Sequence, residues 1–436
     1  MDTFYDVIIA GGGPAGSSTA NFLRQRGRTV LLLEREKFPR FHIGESLLPF
    51  ANDIWKELGV LDKMDATFIH KPGAQFIHEE SGAVFTYYFD TAIRPGRPYA
   101  YQVKRADFDK MLLDEARAKG AEIREEVSVR DVTIDGDGVS VVCRPKEGAD
   151  YTVQGKMFVD ATGRDAIMAT RHKLKEPDGL ITTNVAIHCM FRNIDRSGAL
   201  DEGNIIIGLF EGGWYWVIPF KDGDTSCGFV FEKTFTKINR GSRPAEMMAI
   251  ALESTPALKH RLRNAEPLME VGSQSNWSYK SRQFYSNRML MVGDAAAFVD
   301  PLFSTGVLLA ANGAKFAAEA IDSALTDDNF EAERFAGYQE QYRGGMDIFA
   351  TLVHEFYAQN LRKVLIVSAR NATVCSVITS MLAGDVYKPS MWHSLVRQGF
   401  SHMPEANGVP GVTSSRELAA KAEEQKAAQR ARKVST

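Results

Sequence analysis

Four short strings hold the residue types that could do chemistry. Gly11-Gly12-Gly13-Pro14-Ala15-Gly16 spells GxGxxG, and Glu34 stands 18 residues beyond Gly16. In such a turn Gly11 permits the tight bend, Gly13 lets a pyrophosphate approach the backbone, and Gly16 lets helix and strand pack closely. The N-terminus of a following helix would face two phosphate charges with free N–H donors. An acid at position 34 would accept from both hydroxyls of an adenosine ribose, which favours FAD or NAD over NADP. Lys71, in His70-Lys71-Pro72-Gly73-Ala74-Gln75-Phe76, is a primary amine at an element boundary; by type alone it reads as a solvated surface charge. Trp214, Trp216 and Ile218 alternate up to Pro219, so they share one face of a strand, which alone reads as tryptophan-rich core. Ser304, Thr305 and Gly306 precede a long small-residue run, where a helix N-terminus would offer amides to an anion. Helix capping by Ser304 or Thr305 is the plainer reading, and capping leaves other amides free.

These strings need elements to position them. Residues 5–10 are a β-branched apolar run, the pattern of a buried parallel strand. A helical pattern follows to Arg26 and stops at Gly27, and residues 29–33 make a second strand ending at Glu34. This is a complete βαβ unit, although three glycines can also merely shape a turn. Residues 103–109 open an amphipathic helix with Asp107 and Asp109 in its first turn. Residues 158–164 and 289–298 are apolar strands that run into Gly163-Arg164 and Gly293-Asp294. Asp294 could accept from ribityl hydroxyls or cap a helix, and Gly163-Arg164 could be a simple turn. Residues 72–100 and 172–284 hold alternating runs that read as an antiparallel sheet. Residues 331–402 read as mostly helical, with 364–382 as a buried helix, and the stretch from Ser414 as a frayed helix or disordered tail.

The 436 residues carry a net charge of -3 and are 44% hydrophobic, the balance of a globular protein with no basic field for nucleic acid or an anionic membrane. Cys143, Cys189, Cys227 and Cys375 are far apart, so neither a disulfide framework nor a zinc site is expected. The nine histidines show no metal-ligand spacing, and no metal is expected. His354-Glu355 is not followed by the HExxH pattern, and Gly44-Glu45-Ser46-Leu47-Leu48 lacks the closing glycine of a nucleophile elbow. Acidic Asp2 and Asp6 replace the basic start of a signal peptide, and a reducing, cytoplasmic location is expected.

Taken together, the strings in residues 1–330 resemble the FAD-dependent monooxygenase superfamily, in that family's order. The resemblance implies an α/β fold: an FAD-binding Rossmann-like domain of glutathione-reductase type, an inserted antiparallel-sheet substrate domain and a C-terminal helical region. The expected division is 1–71, 101–171 and 285–330 for FAD, 72–100 and 172–284 for the sheet domain, 331–413 for a helical cap and 414–436 for a charged tail. Glu34 is implied to bind adenosine ribose, Arg105 to lie along the FAD and Asp294 to contact the ribityl chain. Within the superfamily, Trp214-Tyr215-Trp216-Val217-Ile218-Pro219 matches the WxWxIP string of flavin-dependent halogenases, and Phe298 to Gly306, with Pro301 and Ser304, matches FxxPxxSxG. Lys71 stands where halogenases of this group carry their active-site lysine, and the loop from Phe41 to Pro49, with Ser46, looks like the one they place near the flavin.

The resemblance implies hypohalous acid made from a flavin C4a-hydroperoxide and chloride or bromide held near Thr305 and Gly306. Trp214, Trp216, Ile218 and Pro219 would wall the flavin from the substrate, and Lys71 would hydrogen-bond the halogenating species or form a chloramine. Halogenases without an NADPH domain take FADH2 from a separate reductase. The short length and Gly384-Asp385-Val386-Tyr387 resemble enzymes of phenols and pyrroles, often tethered to a carrier protein. Two other readings remain: an aromatic hydroxylase on the same fold, and a silent flavoprotein that serves as a binding partner.

Overall fold

Strand Phe4–Ala10 is apolar on both faces because it is the interior of a parallel sheet. It lies between Tyr151–Asp160 and Val30–Leu33, and Met289–Met291 and Glu122–Arg124 extend the sheet in the same direction. A hairpin of Val127–Ile134 and Val139–Pro145 joins Tyr151–Asp160 antiparallel. The computed structural model describes residues 4–94, 98–178, 184–275, 278–367, 372–387 and 413–434.

The crossover helix Pro14–Gln25 begins one residue after Gly13, with proline in its first turn. Gly11 has φ +104°, open to glycine at little cost. A Cβ on Gly16 would meet the Gly11 carbonyl oxygen at 1.9 Å, so this helix and strand pack closer than any side chain allows.

A second sheet runs Glu266–Pro267, Val185–Arg192, Thr225–Phe231, Gly213–Pro219, Ile205–Phe210, Gly73–His78, Ala83–Tyr88, with Gly272–Ser275 also on Val185–Arg192. Strand Gly213–Pro219 is buried along its whole length because each face meets a different core. Trp214, Trp216 and Ile218 join the larger apolar cluster, whereas Tyr215 and Val217 join a second one with Ile187, Phe229 and Met247. The period of two thus makes this strand a partition between two cores.

Two sequence expectations change here. The second sheet is mixed, because Ile205–Phe210 pairs parallel with Gly73–His78 across a long connection. Helices Lys233–Ile238, Pro244–Glu253 and Pro256–Arg261 interrupt the region read as sheet; two of them start with proline at the first turn. The apolar stretch 364–382, read as one buried helix, is helical where it is described, in Asn360–Val367 and Ala372–Leu382, and residues 368–371 lie outside the described residues.

The charged C-terminal stretch forms helix Ser415–Val434. Its start is seated on the sheet edge: Thr86 N–H donates to the Thr413 carbonyl at 2.9 Å, and Tyr88 N–H to the Ser415 hydroxyl at 2.8 Å. Residues 388–402 of the region expected to be helical lie outside the described residues. Among the described residues no helix is long and apolar enough to cross a membrane, and no cluster of histidine, cysteine and carboxylate side chains could hold a metal ion.

Candidate active site

The carboxyl ends of the parallel strands open onto a cavity of about 1000 Å³. Gly11, Gly13, Ala15, Glu34, Ser46, Arg105, Asp294, Pro301, Thr305 and Gly306 line it, as do Trp214, Trp216 and Ile218 of the second sheet. Residues far apart in the chain thus converge on one space, where ligands of open α/β sheets bind. Gly16, Pro219 and Lys71 are not in this lining. Gly16 serves the helix packing, and Pro219 ends the tryptophan strand.

The cavity fits a dinucleotide. Glu34 is buried, and its carboxylate accepts from Gly12 N–H at 2.6 Å and Glu36 N–H at 2.8 Å, so it is fixed beside the glycine turn. A Cβ on Gly13 would find the Arg40 guanidinium at 3.5 Å, so this turn opens toward a cation. Arg35, Arg105, Arg130, Arg164 and Lys175 add positive charge to the lining, which suits a diphosphate. Asp294 is half-buried in the same space, and desolvation there lifts its carboxyl to about 6 against the pull of Arg105 and Arg164.

Arg105 is held rather than free. Its Nε and Nη2 donate to the two oxygens of Asp109 at 2.7 and 3.0 Å, and Nη1 donates to the carbonyls of Ile43 and Gly44 at 2.9 and 3.3 Å. It therefore ties helix Arg105–Ala118 to the loop expected near the flavin. Helix Gly306–Asp327 starts at the cavity, with Thr305 buried at its N-cap and Ser304 at φ +58°. The Thr305 side chain makes no capping hydrogen bond, so the capping reading fails at this residue. The first-turn amides have no intrahelical acceptor and can meet an anion.

Both indoles are anchored at their N–H. Trp214 donates to the Tyr357 hydroxyl at 3.0 Å, which in turn donates to Asp300 Oδ2 at 3.3 Å. Trp216 donates to Ser226 Oγ at 3.2 Å. The two rings lie 6.0 Å apart, tilted by 50°.

Lys71 ends strand Ile69–Lys71 and is 1% exposed, contrary to the surface reading. Its Nζ donates to the Leu47 carbonyl at 3.0 Å and lies 5.4 Å from the centre of the Phe89 ring. No acid partners it among the described residues, and burial pulls the amine from 10.5 down to about 7. At neutral pH it is a mixture of amine and ammonium, which a surface lysine is not.

A profile of the Tryptophan halogenase family matches residues 6–97 and 90–364. The chain belongs to the flavin-dependent halogenase family. A 1H-pyrrole-2-carbonyl-[peptidyl-carrier protein] chlorinase of Pseudomonas fluorescens is 30% identical over 409 residues, 88% of this chain and 90% of that protein. The corresponding brominase of Pseudoalteromonas luteoviolacea is 31% identical over 81% of this chain and 86% of its own length. Among solved structures, the flavin-dependent brominase Bmp2 superposes with a TM-score of 0.81 at 30% identity, covering 91% of this chain and 98% of that one.

The halogenase is thus an oxidoreductase that uses FAD and a halide, and the family's fold is the one described above. Sequence reading missed Tyr357, Asp300 and Ser226 as anchors of the tryptophans, and Arg40 at the glycine turn. A buried indole N–H usually finds an acceptor, so the existence of such partners was foreseeable. Their identity was not: Tyr357 is 143 positions from Trp214.

Proposed function

We propose that this halogenase makes hypohalous acid on the cavity side of the tryptophan strand and uses it at Lys71 to substitute an electron-rich aromatic ring, a pyrrole or phenol carried on a carrier protein. The observation that supports it most is the pairing of a cofactor-sized cavity faced by Trp214 and Trp216 with a buried amine outside its lining that has no acidic partner among the described residues. The relatives' action on pyrrole-2-carbonyl groups bound to a peptidyl carrier protein favours the same substrate class here.

Gly11, Gly13 and Ala15 would hold the diphosphate of FAD, Glu34 its ribose, Asp294 the ribityl chain, and Arg105 with Ser46 the loop against its ring. Bound there, reduced FAD and dioxygen supply the oxidising equivalent that turns chloride or bromide into hypohalous acid. Thr305 and Gly306 would hold the halide on first-turn amides. Trp214, Trp216 and Ile218, with Pro219 ending the strand, would keep the organic ring from the oxidant's source. Lys71 as ammonium can hydrogen-bond hypohalous acid and sharpen its halogen; as amine it can take the halogen itself. A separate flavin reductase would supply FADH2, as the family resemblance implies; the sequence, with no second GxGxxG, permits this. The division into FAD domain, sheet domain, helical cap and tail stated above, and a cytoplasmic location, belong to this reading.

The test supplies a flavin reductase, FAD, NADH, halide and pyrrole-2-carbonyl carrier protein, and reads the mass spectrum. A chlorine or bromine isotope pattern on the acyl group supports the proposal. Halogenation of the free ring only removes the carrier. Equal product without halide, carrying oxygen, makes the protein a hydroxylase.

A further inference from the structure

Glu45 has no role in the account so far, yet it lines the FAD cavity and is 2% exposed. Its Oε2 has no hydrogen-bond partner. Ser226, which accepts from Trp216 at 3.2 Å, lies beside the carboxyl and favours its charged form, so Glu45 adjoins the anchor of the wall. The cations around it are committed elsewhere. Arg105 is bound through Nε and Nη2 to Asp109 and through Nη1 to two carbonyls, and Lys104 is paired with Asp224 at 2.7 Å and Asp222 at 2.5 Å. The elements packed on the loop add Cys227 and Ser226 from strand Thr225–Phe231, and the uncharged Gln102 from strand Ala100–Gln102. The backbone is pinned: Val103 N–H donates to the Glu45 carbonyl at 2.7 Å, and Leu47 N–H to Tyr101 at 2.9 Å.

A buried carboxyl without an ion pair favours its neutral form. Making hypohalous acid needs an acid. Per turnover, reduced FAD, dioxygen, a halide ion and one proton become oxidised FAD, hypohalous acid and water.

We propose that Glu45 is the proton donor on the cofactor side of the tryptophan wall, distinct from Lys71 on the substrate side. Its O–H bond breaks, the proton goes to the oxygen that leaves as water, and the carboxylate takes a proton back from solvent through the cavity. The inference rests on the assignment of this cavity to FAD. Burial raises the carboxyl to about 7, outweighing Ser226, Arg105 and Lys104, so the acid form is present at neutral pH.

Infrared spectroscopy of the cofactor-free full chain tests the acid itself, independently of what the cavity binds. Wild type should show a protonated-carboxyl band that vanishes as pH rises through 7 and is missing in Glu45→Gln. In Ser226→Ala the same band should persist to higher pH, because a polar neighbour that favours the charged form is gone. With reductase, halide and a hypohalous acid trap, Glu45→Gln should bind FAD as wild type does and lose on the order of 100-fold in trapped oxidant. A titration identical in wild type and Glu45→Gln, or undiminished oxidant in a folded Glu45→Gln, overturns the proposal.

Discussion

The Trp214 indole N–H is fixed to the Tyr357 hydroxyl at 3.0 Å, and so a helix of the C-terminal region holds one side of the tryptophan strand. Asp300, beside the proposed halide loop, accepts from the same hydroxyl. Removing that oxygen leaves a buried indole N–H without an acceptor, a loss of about 1–3 kcal/mol. Tyr357→Phe should lower the melting temperature. It should also reduce halogenated product per oxygen consumed, with the balance appearing as hydrogen peroxide. Product and peroxide measured in one assay check this.

Lys71 carries a stability signature of its own. Its folded value lies near 7, below the ordinary 10.5, so between those values the unfolded chain binds more protons than the folded one. Stability conferred at this site therefore rises with pH from about 7, by up to about 1.4 kcal/mol per unit, and is least below 7, where a charge is buried. Denaturant midpoints of wild type should climb between neutral and alkaline pH relative to Lys71→Met, which has no amine to titrate.

Gly16→Ala places a methyl 1.9 Å from the Gly11 carbonyl oxygen, a clash that only backbone movement relieves. The glycine turn and the first helix should separate, with loss of FAD binding and of soluble yield. Gly27→Ala is the control. A Cβ there meets nothing within 4 Å, and its φ of +78° costs only about 1–2 kcal/mol. It should keep FAD affinity near wild type in equilibrium titration.

Glu34 accepts from two backbone amides, and a neutral acceptor would hold both them and a ribose less tightly. Glu34→Gln should weaken FAD binding by about ten-fold, read by flavin fluorescence, while Lys37→Gln, exposed and outside the cavity lining, should not.

Much of the cavity was legible because its residues sit in local strings. The glycine turn, Glu34, Asp294 and Thr305–Gly306 are each set by a strand or helix end a few residues away, and strand alternation alone puts Trp214, Trp216 and Ile218 on one face. What local pattern does not carry is long-range pairing. The parallel register of Ile205–Phe210 on Gly73–His78 depends on a distant strand. The same holds for Lys71, whose burial follows from the loop at Leu47 and the ring of Phe89. Resemblance picked out this lysine, whereas residue type pointed to solvent. Resemblance likewise placed the loop from Phe41 to Pro49 near the flavin, but no local pattern singled out the Glu45 carboxyl within it.

The separation of oxidant production from its use is tested most directly by Lys71→Ala, supplied with reductase, FAD, halide and an acceptable pyrrole or phenol. The trapped hypohalous acid and the halogen isotope pattern of the product are read side by side. The account predicts unchanged FAD binding and undiminished trapped oxidant, with the halogenated product lost. Halogenated product at the wild-type rate from Lys71→Ala would contradict it.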